Sequence, residues 1–277
     1  MKDYKELARQ ARIKILEMVH NAGTSHIASN FSVIDIVTVL YENLEEDDRV
    51  VWSKGWAAAS IYYFLAKQGK IPEEDLDKFG KEIDGKIPYL GLAETNIPGV
   101  EVNGGAVGHG LPVAVGMALG KKRAGEKGIV YCIMSDGELN EGTTWEGALI
   151  AAQYQLDNLV VIIDANGWQA MGRTQDIAPS VFPGWATHDG NRSAGIAPRR
   201  GWNWRGADGH NYELIESLLK LPEELRQIQG QHLQPTCLFF NTIKGKGVSF
   251  FEDHLLYHYK HVDDEDYQKA LAELNVG

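Results

Sequence analysis

Two short apolar runs constrain this 277-residue chain more than any other feature: Gly128–Met134 (GIVYCIM) and Asn158–Asp164 (NLVVIID). Uninterrupted runs of this length, rich in Val and Ile, are what strands buried on both faces of a parallel sheet look like. Between them, Glu141–Gln155 leads to Trp145, Leu149, Ala152 and Leu156 at helical spacing, which predicts a helix joining the two strands. A right-handed βαβ crossover lays such strands side by side or nearly so. The first strand ends at Ser135-Asp136-Gly137, and Asn166 lies just past the end of the second. Both therefore belong at the carboxyl edge of the sheet, where open α/β folds bind ligands.

The residue types at that edge point to a metal. The Asp136 carboxylate, the Asn166 amide oxygen and a backbone carbonyl at Trp168 offer a hard cation three protein oxygens. Magnesium takes about six at about 2.1 Å and completes its shell from phosphate and water. Asp-Gly and Asn-Gly are also common turn dipeptides. Their pairing across one βαβ unit is what favours a metal–diphosphate site.

The rest of the pattern is helix Lys5–His20, helix Ser32–Glu42, strand Val50–Trp52, helix Trp56–Gln68 and a polar connection to Val102. Next come a glycine-rich turn and helix Leu111–Ala124, then the βαβ unit. An irregular stretch follows, then Trp202–Arg205, helix Tyr212–Leu219 and strand Thr236–Ile243. Alternating strands and helices predict an α/β chain, a three-layer, doubly wound parallel sheet in a single domain over 1–277.

Composition narrows the function classes. With 27 basic against 38 acidic side chains the net charge is −11, which lacks the basic footprint of a nucleic-acid surface. No apolar run reaches the roughly 18–20 residues of a membrane helix. The opening residues, MKDYKELARQARIKIL, read as an amphipathic helix and not as a signal peptide. Cys132 and Cys237 fall in expected buried strands, as inert thiols in a reducing compartment. A cytoplasmic protein without nucleic-acid or membrane partners is expected.

The segment Ser135–Asn166 resembles the thiamine diphosphate fingerprint, GDG with a later Asn, in its transketolase form. The words DGELNEG, WEGALIAAQYQLDNL, DANG and GRT carry the likeness, which extends from Ala8 to about Lys260. The chain looks like the N-terminal half of a transketolase encoded as two polypeptides. That resemblance implies a thiamine diphosphate-binding fold with Mg2+ or Ca2+ held by Asp136, Asn166 and Trp168. It implies further cofactor contacts at Gly137, Glu138 and Lys244. The run Asn103–Gly110 (NGGAVGHG) matches the segment whose backbone meets the aminopyrimidine ring, which selects Gly105 and Val107. His26 and His258 take the places of substrate-facing histidines, and Glu141 that of a glutamate coupling two cofactor sites. The implied activity is transfer of a two-carbon ketol unit from a ketose, such as a sugar phosphate, to an aldehyde or other acceptor. The implied partner is a separate C-terminal, pyrimidine-binding subunit, with two copies of each chain.

Departures from the family's words matter equally. Trp56 and Leu92 stand where family members carry histidines, Ser135 replaces the first glycine of GDG, and His109 stands where a glutamine is usual. Pro179–Arg200 differs from the family's connection, and Arg192, Arg199 or Arg200 there is a candidate for an anionic substrate group. These changes leave two other readings open: a thiamine diphosphate enzyme passing a two-carbon unit to a carrier-bound acceptor, or a catalytically silent cofactor-binding subunit.

Overall fold

Among the described residues five parallel strands form one sheet, in the order β1 (Arg49–Trp52), β2 (Val130–Ser135), β3 (Leu159–Ala165), β7 (Thr236–Asn241) and β6 (Asn203–Asp208), the α/β class expected. The computed structural model describes residues 2–177, 201–227 and 234–276. The segment 179–200, with Arg192, Arg199 and Arg200, lies outside the described residues. In chain order the elements begin with α1 (Tyr4–Ala22), α2 (Ile27–Phe31), α3 (Ile34–Tyr41), β1 (Arg49–Trp52) and α4 (Ala58–Lys67). After a 3-10 turn over Glu73–Lys78 come α5 (Gly110–Ala124), β2 (Val130–Ser135), α6 (Gly142–Gln153) and β3 (Leu159–Ala165). The remainder is a hairpin of β4 (Trp168–Gln169) and β5 (Gly172–Arg173), α7 (Thr174–Ile177), β6 (Asn203–Asp208), α8 (Tyr212–Gln227), β7 (Thr236–Asn241), α9 (Leu256–Tyr259) and α10 (Asp264–Val276).

The described residues fall into two compact units. One holds the sheet and comprises Asn43–Lys54 and Ala106–Thr242; the other is helical and comprises Met1–Glu42, Gly55–Gly105 and Ile243–Gly277.

Within the sheet unit, β2 and β3 are parallel neighbours, with Val130 opposite Leu159 and Ser135 opposite Asp164. That register carries Asp136 and Asn166 just beyond the same edge. All seven residues of β3 are buried, as are the first five of β2, so both runs lack polar alternation. α5 packs against α6 and β2, and it ends at Gly125 in the left-handed region (φ 70°) after Lys121, Lys122 and Arg123. That ending suits both the glycine cap and the negative helix terminus. α8 runs beyond the expected stop at Leu219 and contains Pro222. Proline removes one helix hydrogen bond without preventing the chain from continuing.

Within the helical unit, α1 is capped by Asp3, whose side chain accepts from the Glu6 amide (3.0 Å), and ends at left-handed Gly23. Its buried stripe of Ala8, Ala11, Ile15, Leu16 and Val19 follows helical periodicity and packs against α3, α4 and α10. The helix expected over Ser32–Glu42 is α3, and the short α2 before it, set off at Ser32–Val33, is an element the sequence pattern did not predict. A buried ion pair, Arg12–Asp35 (2.9 Å), ties α1 to α3. Among the described residues no helix is long and apolar enough to cross a membrane.

Candidate functional site

At the carboxyl edge of the sheet, Asp136 opens a 3-10 turn directly after β2. Its carboxylate, 5% exposed, accepts hydrogen bonds from the Gly137 amide (3.0 Å), the Gly167 amide (2.9 Å) and the Thr174 hydroxyl (2.9 Å). Burial pushes this carboxyl up to about 6, the Thr174 hydroxyl works in the opposite direction, and the nearby Asp164 charge adds to the rise. Asn166 is also buried; its side-chain oxygen accepts from the Trp168 amide (3.0 Å), an Asx turn that sets the start of the β4–β5 hairpin. Arg173 stacks on the Trp168 ring at 4.3 Å and fixes that hairpin further.

Glu138 is completely buried. It closes a capping box with Ser135, and it accepts from the Gly108 amide (3.2 Å) and from the Ser53 hydroxyl. Burial raises its carboxyl, against those donors. The side chain of this expected cofactor residue is thus directed at Ser53, Ser135 and the Gly108 backbone. Ser135, in the place of the family's glycine, supplies half of the capping box.

Gly108 (φ 79°) has no room for a side chain, since a Cβ would lie 2.6 Å from Glu141 Cβ. A Cβ on Gly110 would lie 2.3 Å from Ser53 Cβ. The glycine-rich segment therefore packs backbone to side chain in this unit, with Val107 half exposed beside it. Glu141 precedes α6, and its amide donates to the Glu138 carbonyl (3.2 Å). Lys54, after β1, donates to Asp164 at the end of β3; both are buried, and Thr242 donates to the same carboxylate.

The helical unit carries His26 and His258. His26 has φ 72°, uncommon for a residue with a side chain. Its carbonyl accepts from the Ser29 and Asn30 amides and from the Asn30 side chain, and its amide donates to the His258 carbonyl. Its ring stacks on Trp56 (4.7 Å between centroids, 21°) and meets the His258 edge at 4.8 Å. Ser25 Oγ lies 2.7 Å from His26 Nδ1. Lys244 is fully buried, and its ammonium donates to His258 Nδ1 (2.8 Å). A donor there places the ring proton of His258 on Nε2.

His26 and Trp56 line a cleft of about 600 Å3 with Asn30, Leu92, Glu94 and His261. Gly105 (φ 118°) lies in this unit against Leu92, and the backbones of Gly55 and Gly104 meet where a Cβ on Gly55 would clash at 2.5 Å. Sequence reasoning missed His261, whose contribution to the cleft has no local signature. It also passed over Thr174, although that residue closes the word GRT.

A metal-bound diphosphate fits the sheet edge. Among the described residues no group of three His, Cys, Asp or Glu side chains forms a protein-only metal site. One carboxylate, one amide and one carbonyl is the donor set of a cation that shares its shell with phosphate. The donors bonded to the buried Asp136 carboxylate are two backbone amides and a hydroxyl, all neutral, and a cation would supply its counter-charge.

Comparison with known proteins agrees. The family described as transketolase, thiamine diphosphate binding domain, matches residues 4–274. The chain is 35% identical over 285 residues to an apulose-4-phosphate transketolase subunit of Actinobacillus succinogenes, covering 98% of this chain and 96% of that one. It is 31% identical to the 6-deoxy-6-sulfo-D-fructose transketolase subunit SqwG of a Clostridium species, with the same coverage. Human transketolase is 31% identical over 98% of this chain but only 42% of its own length. The crystal structure of Campylobacter jejuni transketolase superposes with a TM-score of 0.83 at 26% identity, over 99% of this chain and 43% of that chain. The chain thus spans less than half of the one-piece enzymes and nearly all of the proteins named as subunits. It belongs to the transketolase family, as a member of that family's thiamine diphosphate-binding domain.

Proposed function

We propose that this chain is the thiamine diphosphate-binding subunit of a two-polypeptide, transketolase-type transferase. It works in the cytoplasm as one functional domain, with a separate C-terminal, pyrimidine-binding subunit, two copies of each. The observation that carries this reading is the buried Asp136 carboxylate beside Asn166 and Trp168 at the end of two adjacent parallel strands. The length match to relatives named as transketolase subunits supports the divided enzyme.

Thiamine diphosphate, when bound, supplies the chemistry that breaks and re-forms the carbon–carbon bond beside a ketose carbonyl. This chain's part is to hold and orient. Asp136, Asn166 and the Trp168 carbonyl hold the divalent metal, with Gly137 approaching the diphosphate. Gly105 and Val107 offer backbone to the aminopyrimidine. His26 and His258 act on substrate hydroxyl protons; the stack on Trp56 and the Lys244 bond fix their rings. Lys244, so engaged, serves this reading through His258.

Trp56 and Leu92 in the cleft favour a donor or acceptor other than the ordinary pentose phosphates. The test is ketol transfer by the chain co-expressed with its C-terminal partner, given thiamine diphosphate, Mg2+ and a donor panel. That panel includes the compounds for which the two relatives are named, with two-carbon gain read by mass spectrometry. Transfer that disappears in Asp136→Ala is the expected result. An assembled complex that binds the cofactor and transfers nothing would overturn the activity in favour of a silent protein. Ordinary rates on xylulose 5-phosphate and ribose 5-phosphate would overturn the altered-substrate reading.

A further inference from the structure

Gln169 is the residue of the sheet-edge cluster with chemistry left over. It lies in β4, opposite Gly172 of β5, and its side chain lies on the Asp136-Gly137 turn. A Cβ on Gly137 would sit 3.1 Å from Gln169 Cγ and 3.4 Å from Cδ, so the missing side chain at Gly137 is what admits the amide. The Nε2 atom is buried and finds no hydrogen-bond partner among the described residues. A buried donor left in this state is costly. The Asp136 carboxylate of the same cluster is already supplied, because it takes donors from Gly137, Gly167 and Thr174. An amide NH2 can only donate, so what completes it is an acceptor brought by a ligand.

We propose that Gln169 is a cofactor-binding residue whose side-chain amide donates to a phosphoryl oxygen of the metal-bound diphosphate. This assignment rests on the cofactor reading above. It gives the hairpin Trp168–Arg173 a purpose. The Trp168 end is pinned by the Asn166 side chain and by Arg173, while the Gln169 side chain is held against the turn that opens with Asp136.

The test is calorimetric titration of the chain assembled with its C-terminal partner subunit, at saturating Mg2+, with thiamine diphosphate and, in parallel, with inorganic pyrophosphate. The melting temperature without ligand is measured alongside. Gln169→Leu should weaken both ligands about 10-fold, or about 1.4 kcal/mol. It should leave the ligand-free melting temperature unchanged or higher, because the unmatched donor is gone. Gln169→Glu should weaken binding further, since a carboxylate there repels the anion. A Leu variant that melts lower yet binds both diphosphates as wild type does would make Gln169 a structural filler and overturn the proposal; so would a Glu variant with wild-type affinity. A wild-type complex that binds neither diphosphate overturns the cofactor reading itself, and this assignment falls with it.

Discussion

The buried pair Lys54–Asp164 offers the sharpest test of how the sheet edge is held. The side chains are 5% and 0% exposed, and Thr242 donates to the same carboxylate. Lys54→Met keeps the length and apolar stem of lysine but removes the cation, stranding a carboxylate where water does not reach. Breaking a buried pair from one side costs about 3–5 kcal/mol, a large share of the roughly 5–15 kcal/mol that stabilises a typical domain. At about 2–4 °C per kcal/mol for a chain approaching this size, the melting temperature should fall by roughly 6–20 °C. Circular dichroism melts at neutral pH, with chemical denaturation for the free energy, read this directly. The decisive arm is Lys54→Met combined with Asp164→Asn, in which the amide oxygen can still accept from Thr242 and no charge is stranded. The double variant should recover most of the loss. A Lys54→Met loss below about 1 kcal/mol, as for an exposed pair, or a double variant less stable than the single, would refute the argument that charge burial sets the magnitude.

Other outcomes follow from single contacts. Thr174→Val removes one of the hydrogen bonds to the Asp136 carboxylate; stability should drop by about 1.5–3 kcal/mol, read by urea denaturation. Ser135→Gly restores the family's glycine but deletes a capping side chain; the cost should be a few tenths of a kcal/mol, with thiamine diphosphate affinity kept. Gly108→Ala forces a Cβ to within 2.6 Å of Glu141 at φ 79° and should destabilise by more than about 1 kcal/mol; a melting temperature equal to wild type would contradict that. Lys244→Met takes the donor from His258 Nδ1, and nitrogen-15 NMR of the imidazole should show the Nε2–H tautomer giving way to a mixture.

What was legible in the sequence was what local pattern encodes. β2 and β3 stood out because strands buried on both faces leave unbroken apolar runs, and Asp136 and Asn166 followed from where those runs end. The short helix α2 was hidden, because Ile27–Phe31 is buried throughout and shows no contrast between faces. Lys54 and Asp164 are 110 positions apart, so their pairing depends on strand order and not on any motif. Trp56 stood out in the sequence only as the replacement of a family histidine. Its stack on His26 depends on the left-handed backbone at that histidine, which nothing in Gly-Thr-Ser-His announces. The hairpin Trp168–Arg173 was too short for periodicity to show, and Thr174 and Gln169 went unassigned with it.

Among the described residues of the sheet unit, three carboxylates are buried, and their partners explain why only one of them suits a metal. Asp164 already has a protein cation in Lys54. Glu138 has no exposed surface and is bonded by Ser53, Ser135 and the Gly108 amide, a set that ties three segments of chain into one turn. Asp136 keeps some exposure, accepts from backbone amides and a hydroxyl, and carries a carboxyl raised to about 6 by its burial. Neutral donors orient a carboxylate without neutralising it, which leaves the charge available to a cation. Asp164 and Glu138 therefore build the edge, and Asp136 is the carboxylate to which the proposed function assigns the cation of the diphosphate.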